Sequence, residues 1–191
     1  TMAVGIEIIA AVTSVVQLPV ALMTYVNPVL HWGAPALARA AAAAGAAALI
    51  VADLPVDESG EIAEACRSAG IGLVQFAAPT TTDDRLRLVV EAAPPFVYGI
   101  AEMGVTGERR ESSSHAAGLV GRLRALTDIP IVLGVGISGP EAAADAAAIA
   151  DGVIVGSAIV RRVLEAENAA VAASSLSSAV AQLAQAMRRG R

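Results

Sequence analysis

Apolar residues along this chain alternate between two habits. Short continuous runs of four to seven are followed by longer stretches whose apolar positions recur at helical spacing. Residues 5–16 read as a helix ended by Gln17-Leu18-Pro19. "PVALMTY" is then a strand ending at Thr24 and Tyr25. "APALARAAAAAG" is a helix with Gly45 as its stop, and "ALIVAD" is a buried strand ending on Asp53. "DESGEIAEACRSAG" is a helix stopped by Gly70, and "GLVQFAA" a strand reaching Ala78. "TTDDRLRLVVEAA" is a helix with acids in its first turn, and "FVYGIA" a strand. "GVTGERRESSSH" reads as a long polar loop, and "AAGLVGRLRALT" as a helix. "PIVLGVG" is a strand, and "SGPEAAADAAAIA" a helix opened by a capping box from Ser138 to Glu141 with Pro140 in its first turn. "GVIVG" is the last strand. Two helices close the chain, the second over about 171–189 with Leu176, Val180, Leu183 and Met187 on one face.

Six strands alternating with helices, apolar on both faces, predict a parallel sheet covered by helices in a single α/β domain over residues 1–191. An open doubly wound sheet and a (β/α)8 barrel both satisfy this pattern. Both place their sites at the C-terminal ends of strands. Those ends carry Thr24 and Tyr25, Asp53, Ala78, Glu102, Gly134 with Gly136, and Gly156 with Ser157.

Composition removes several chemistries. The net charge is −5, which argues against a nucleic-acid surface. Arg188, Arg189 and Arg191 read as a solvated helix end suited to the macrodipole. All 13 basic residues are arginine. Without lysine, the chain alone can form no Schiff base and carries no P-loop. The single cysteine, Cys66, reads as a buried structural thiol, and no Cys/His cluster has zinc spacing. His31 and His115 are isolated from any companion motif. Residues 8–30 lack formal charge and are long enough to span a bilayer. Pro19, Gln17, Asn27 and Pro28 interrupt the run, so helix, turn, strand and loop is the more economical reading. Glu7 stands where a signal peptide would be basic. No membrane partner is expected, and a cytoplasmic location is.

Gly134, Gly136 and Gly139 spell G-x-G-x-x-G. The dinucleotide fingerprint also expects an acid at the end of the next strand, where this chain has Gly156 and Ser157; Asp151 lies at the wrong end. A barrel phosphate site explains more: glycines let backbone N–H groups approach an anion, Ser157 adds a hydroxyl, and "SAIVRRVL" offers a helix N-terminus. The plain alternative is that Gly156 and Ser157 only cap that helix.

Taken jointly, "MTYVNPV", "LIVADLPVDES", "APTTTDDRL", "FVY" followed by "MGVTG", "LGVGIS" and "ADGVIVGSAIV" resemble the tryptophan synthase α chain family, in its order and spacing over roughly residues 5–165. The resemblance implies a TIM (β/α)8 barrel that cleaves indole-3-glycerol phosphate to indole and glyceraldehyde 3-phosphate. It also implies a tryptophan synthase β subunit as partner in an α2β2-type complex, with the pyridoxal cofactor on that partner and no cofactor or metal on this chain. By matching motif, Gly107, Gly134, Gly136, Gly156 and Ser157 would hold the phosphate. Tyr25, Tyr98 and Ile154 would contact the substrate, and Thr106 belongs to the closing loop. Asn27, Asp53 and Pro55 match the partner surface.

The family's acid/base glutamate and aspartate lie on and just after its second strand, ahead of the part matched here. The resemblance therefore implies an incomplete barrel of about six βα units, strands 3 to 8, whose catalytic carboxylates have no counterpart. Asp53 and Glu102 lie at strand ends where a substitute acid could stand. Two other readings remain open: a non-catalytic module binding a phosphate ligand or a β subunit, and a different phosphate-binding barrel such as a sugar-phosphate isomerase or epimerase.

Overall fold

The computed structural model describes residues 1–92, 95–100, 109–134 and 136–189, with only the backbone given for 109–113 and 189. These form two compact units. One comprises Thr1–Phe76 with Thr82–Val97; the other comprises Ala77–Thr81 with Tyr98–Arg191.

In the first unit, helix α1 (Met2–Thr13) leads to strand β1 (Val20–Thr24). Helices α2 (Val26–Trp32) and α3 (Ala34–Ala43) connect it to β2 (Ala46–Val51). A 3-10 turn (Val56–Glu58), helix α4 (Gly60–Ala69), strand β3 (Gly72–Ala77) and helix α5 (Asp83–Ala92) follow. β1 pairs in parallel with β2, and β2 with β3; the β1–β2 register runs from Val20 opposite Ala46 to Thr24 opposite Val51. Parallel pairing needs crossover helices, which is why the apolar runs are separated by helical stretches. The core of this unit gathers Ile9, Leu22, Val29, Leu37, Leu49, Val51, Ile62, Cys66 and Leu73. Alanine at 38 and 41 lets α3 lie close to its neighbours. Thr13 ties α1 to the end of α3 by donating its hydroxyl to the Ala44 carbonyl at 2.7 Å.

The second unit contains β4 (Val97–Ile100, from Tyr98 on), α6 (Arg109–Arg124), β5 (Ile131–Gly134), α7 (Pro140–Ile149), β6 (Gly152–Ile154), α8 (Ser157–Leu164) and α9 (Ala169–Arg189). β5 and β6 are parallel, with Gly134 opposite Ile154. Ala142, Ala143, Ala146 and Ala147 of α7 are all buried, a small-residue face against which α9 packs with Ala179 and Leu183. Asp151 immediately precedes β6 and ties it to the start of β5. Its Oδ2 accepts the Ile131 N–H at 2.9 Å, and Arg124 reaches its Oδ1 at 3.2 Å.

Several expected elements come out differently. Val26–Trp32 is a helix, not a loop, because Pro28 falls in its first turn, where a missing N–H costs nothing. Arg109–His115 belongs to α6 and not to a loop. The Ser138–Glu141 capping box does not form: Gly139 is the N-cap of α7, no side chain caps it, and Pro140 opens the helix. On α9, Val180 is exposed; the buried row runs through Ala179 and Leu183. On α1, Val4, Ile8 and Val12 form an exposed apolar row, and β1 has a strand partner on one side only among the described residues. No helix among those residues is long and apolar enough to cross a membrane.

Candidate functional site

The ends of β5 and β6 build the clearest constellation. Gly134 closes β5 with its missing side chain facing Tyr98. A Cβ at position 134 would lie 2.6 Å from the Tyr98 hydroxyl oxygen, 2.8 Å from its Cε2 and 3.0 Å from the Ile154 Cβ. Tyr98, Gly134 and Ile154 are thus one packed group: a ring laid across the end of β5 against the side chain that ends β6. Tyr98 is buried, and burial raises its phenol above the usual range, so it stays protonated throughout the physiological window.

Beyond Gly134 the chain turns through Gly136, whose φ of 73° is in the left-handed region that favours glycine. Ser138 follows, just ahead of the Gly139 N-cap of α7. Across from it, Gly156 is the N-cap of α8. A Cβ there would meet nothing within 4 Å, so the backbone at Gly156 is open to approach. Ile159 and Val160 donate to the Gly156 carbonyl at 2.9 and 3.1 Å. The N–H groups of Ser157 and Ala158, ahead of these, have no intrahelical acceptor and lie at the positive end of the helix. Ser138 and Ser157 line one cavity of about 320 Å³ with Ala158, Arg161, Arg162 and Glu165. N–H groups without intrahelical acceptors, two hydroxyls and two arginines border this hollow, a set of donors whose chemistry suits an anion.

The first unit holds a second group. Asp53, just beyond β2, accepts the Val26 N–H on Oδ1 at 2.7 Å and so caps α2 between Tyr25 and Asn27. Its carboxylate serves the backbone there. Tyr25, Asn27, Asp53 and Pro55 are all exposed, and Met23 beside them is 58% exposed. Cys66 is 1% exposed, and burial pushes its thiol up to about 11, which fits an inert core residue. No group of three or more potential metal ligands occurs among the described residues.

The structure therefore brings Tyr98, Gly134 and Ile154 together, and it places Gly136, Gly156 and Ser157 at the neighbouring strand ends. Thr106, Gly107 and Glu102 lie outside the described residues. Sequence reasoning missed Ser138 and the two arginines. The Ser157–Arg161 spacing of four on a helix was the available signal. It also missed that Gly134 makes room for Tyr98.

Comparison with known proteins bears on what this site is for. The family model described as tryptophan synthase alpha chain matches residues 1–188. The tryptophan synthase alpha chain of Phenylobacterium zucineum is 43% identical over 175 residues, which are 91% of this chain and 63% of that protein. That of Salinispora tropica is 43% identical over 170 residues, 89% of this chain and 64% of that protein. The chain thus spans just under two thirds of the length of these relatives. Among solved structures, Mycobacterium tuberculosis tryptophan synthase matches with a TM-score of 0.83 at 39% identity, covering 96% of this chain and 67% of that one. Tryptophan synthase subunit alpha of Legionella pneumophila matches with a TM-score of 0.83 at 26% identity, covering 96% and 68%. The fold is of the TIM-barrel class, represented here by six strands of an incomplete barrel.

Proposed function

The chain belongs to the tryptophan synthase alpha chain family, and from that premise we propose that it is part of an indole-3-glycerol phosphate lyase of tryptophan biosynthesis that works with a β subunit. The observation that carries the reading is the pair of glycine-rich strand ends. Gly136 turns the chain at positive φ, Gly156 leaves the start of α8 open, and Ser157 opens the helix with a hydroxyl and an N–H that has no intrahelical acceptor. These groups suit the three terminal oxygens of a phosphate monoester. Gly107, from the segment before α6, is the further contributor that the family motif assigns. Tyr98 and Ile154 form an apolar wall beside Gly134, suited to the flat ring of an indole; Tyr25 is a further substrate contact that the family motif assigns.

The cleavage step needs a carboxylic acid to protonate the ring carbon and a base to take the hydroxyl proton. Asp53 is engaged in capping α2, so we assign it a positioning role at the partner surface with Asn27 and Pro55. The acid and base are assigned to the family's carboxylates that precede the matched region. In this reading the residues described here bind, orient and partly enclose the substrate.

The test is indole release from indole-3-glycerol phosphate by two proteins: this chain, and this chain fused behind the N-terminal third of a full-length relative. Turnover by the fusion, lost on Gly156→Val, supports the reading. A folded fusion without turnover contradicts it. Co-purification of either protein with a tryptophan synthase β chain, and a rise in that chain's rate of tryptophan formation, tests the partner.

A further inference from the structure

The cavity beside Ser157 contains more positive charge than the two strand ends supply. Ser157, Ala158, Arg161, Arg162 and Glu165 lie along one face of α8 and its C-cap, and Ser138 faces them from the β5–α7 connection. Two helix starts therefore meet at this hollow, since Ser138 immediately precedes the cap of α7 and Ser157 opens α8. The arginines are not equivalent. Arg162 donates to Ser175 Oγ of α9 at 3.3 Å and is held there. No hydrogen bond or ion pair ties Arg161 among the described residues. It stands one turn after Ser157 on the same face, where residues i and i+4 are neighbours and long side chains turn back toward the helix start. Glu165 lies a further turn away, at the far end of α8.

We infer that Arg161 is a specificity-determining residue for the phosphate group, closing over the anion that the Gly136, Gly156 and Ser157 backbone holds from below, with Ser138 as a second hydroxyl. The inference rests on the phosphate seat proposed above and adds to it a side-chain cation. Backbone N–H groups alone accept any small anion. A guanidinium added at hydrogen-bond range favours a doubly charged phosphate monoester, which it can meet with two parallel N–H groups.

The experiment is calorimetric titration of the full chain with indolepropanol phosphate and with unphosphorylated indolepropanol, at low and high salt. Arg161→Gln is expected to weaken binding of the phosphate about tenfold and to flatten its salt dependence. Arg161→Lys should recover part of the loss, and Arg39→Gln, the same charge change in the other unit, should bind like the parent. Circular dichroism of each variant should match the parent, because Arg161 is exposed. Binding by Arg161→Gln within about twofold of the parent overturns the role of Arg161 and leaves the seat standing. Failure of the parent to prefer the phosphate over the alcohol overturns the seat, and the role of Arg161 with it.

Discussion

The ring of Tyr98 occupies the space that a side chain at position 134 would need: the Tyr98 hydroxyl oxygen lies 2.6 Å from the place of a Gly134 Cβ. Glycine at the end of β5 is therefore a packing requirement. Gly134→Ala should cost about 1–3 kcal/mol, since the added methyl would meet the buried Tyr98 ring and the Ile154 Cβ together. Denaturant unfolding of Gly134→Ala, Tyr98→Ala and the double variant measures the coupling. The double variant should lose less stability than the sum of the two single ones. Strict additivity would mean that the two residues do not meet.

Asp53 makes a second, independent prediction. Its carboxylate satisfies the first N–H of α2, so Asp53→Ala should destabilise the chain by about 1 kcal/mol, with Asp53→Asn costing clearly less because an amide oxygen can still accept. Thermal unfolding of both variants checks this. Equal losses would assign the effect to charge and not to the cap.

Gln75 is 2% exposed in β3, and its Nε2 has no hydrogen-bond partner among the described residues. A buried, unsatisfied amide is costly. Gln75→Met, which is close in volume, should raise stability by about 1 kcal/mol in chemical denaturation. A loss of stability would show that the amide has a partner in solution.

Cys66 links stability to pH. Its thiol rises from 9.0 to about 11 on folding. Below about pH 9 the thiol is protonated in both states, and its neutral burial is fully stabilising. Between pH 9 and pH 11 the unfolded chain loses the proton and the folded chain keeps it, so stability falls as pH rises. The Cys66 contribution to that fall reaches about 2.7 kcal/mol at two pKa units. Unfolding measured from pH 8 to about pH 10.5 should show the decline, and Cys66→Ala should flatten it. The same slope in the alanine variant would assign the decline to other groups.

How much of this was legible beforehand depended on whether each signal was local. The strands were, because parallel strands buried on both faces read as unbroken apolar runs. The glycine-rich ends of β5 and β6 were, because φ and backbone access are properties of single residues. What escaped depends on neighbours distant in sequence. Asn27-Pro28 looks like a breaker until the cap by Asp53 starts a helix ahead of it. Residues 109–115 looked like a loop because they are polar, yet polar residues of fair helix propensity simply lengthen α6. Ser138 and Glu141 have capping-box spacing, but Gly139 takes the cap, and this frees Ser138 for the cavity. The meeting of Tyr98 with Gly134 lies across two strands and has no signature in either segment alone.

The central claim is that the ends of β5 and β6 hold a phosphate. Amide chemical-shift mapping of the isotopically labelled chain, titrated with indolepropanol phosphate and with indolepropanol, addresses it most directly. The account predicts that the backbone N–H signals of Gly136, Gly156, Ser157 and Ala158 move most, and only with the phosphate. Equal shifts with the alcohol, or shifts centred elsewhere while these four stay still, would contradict it.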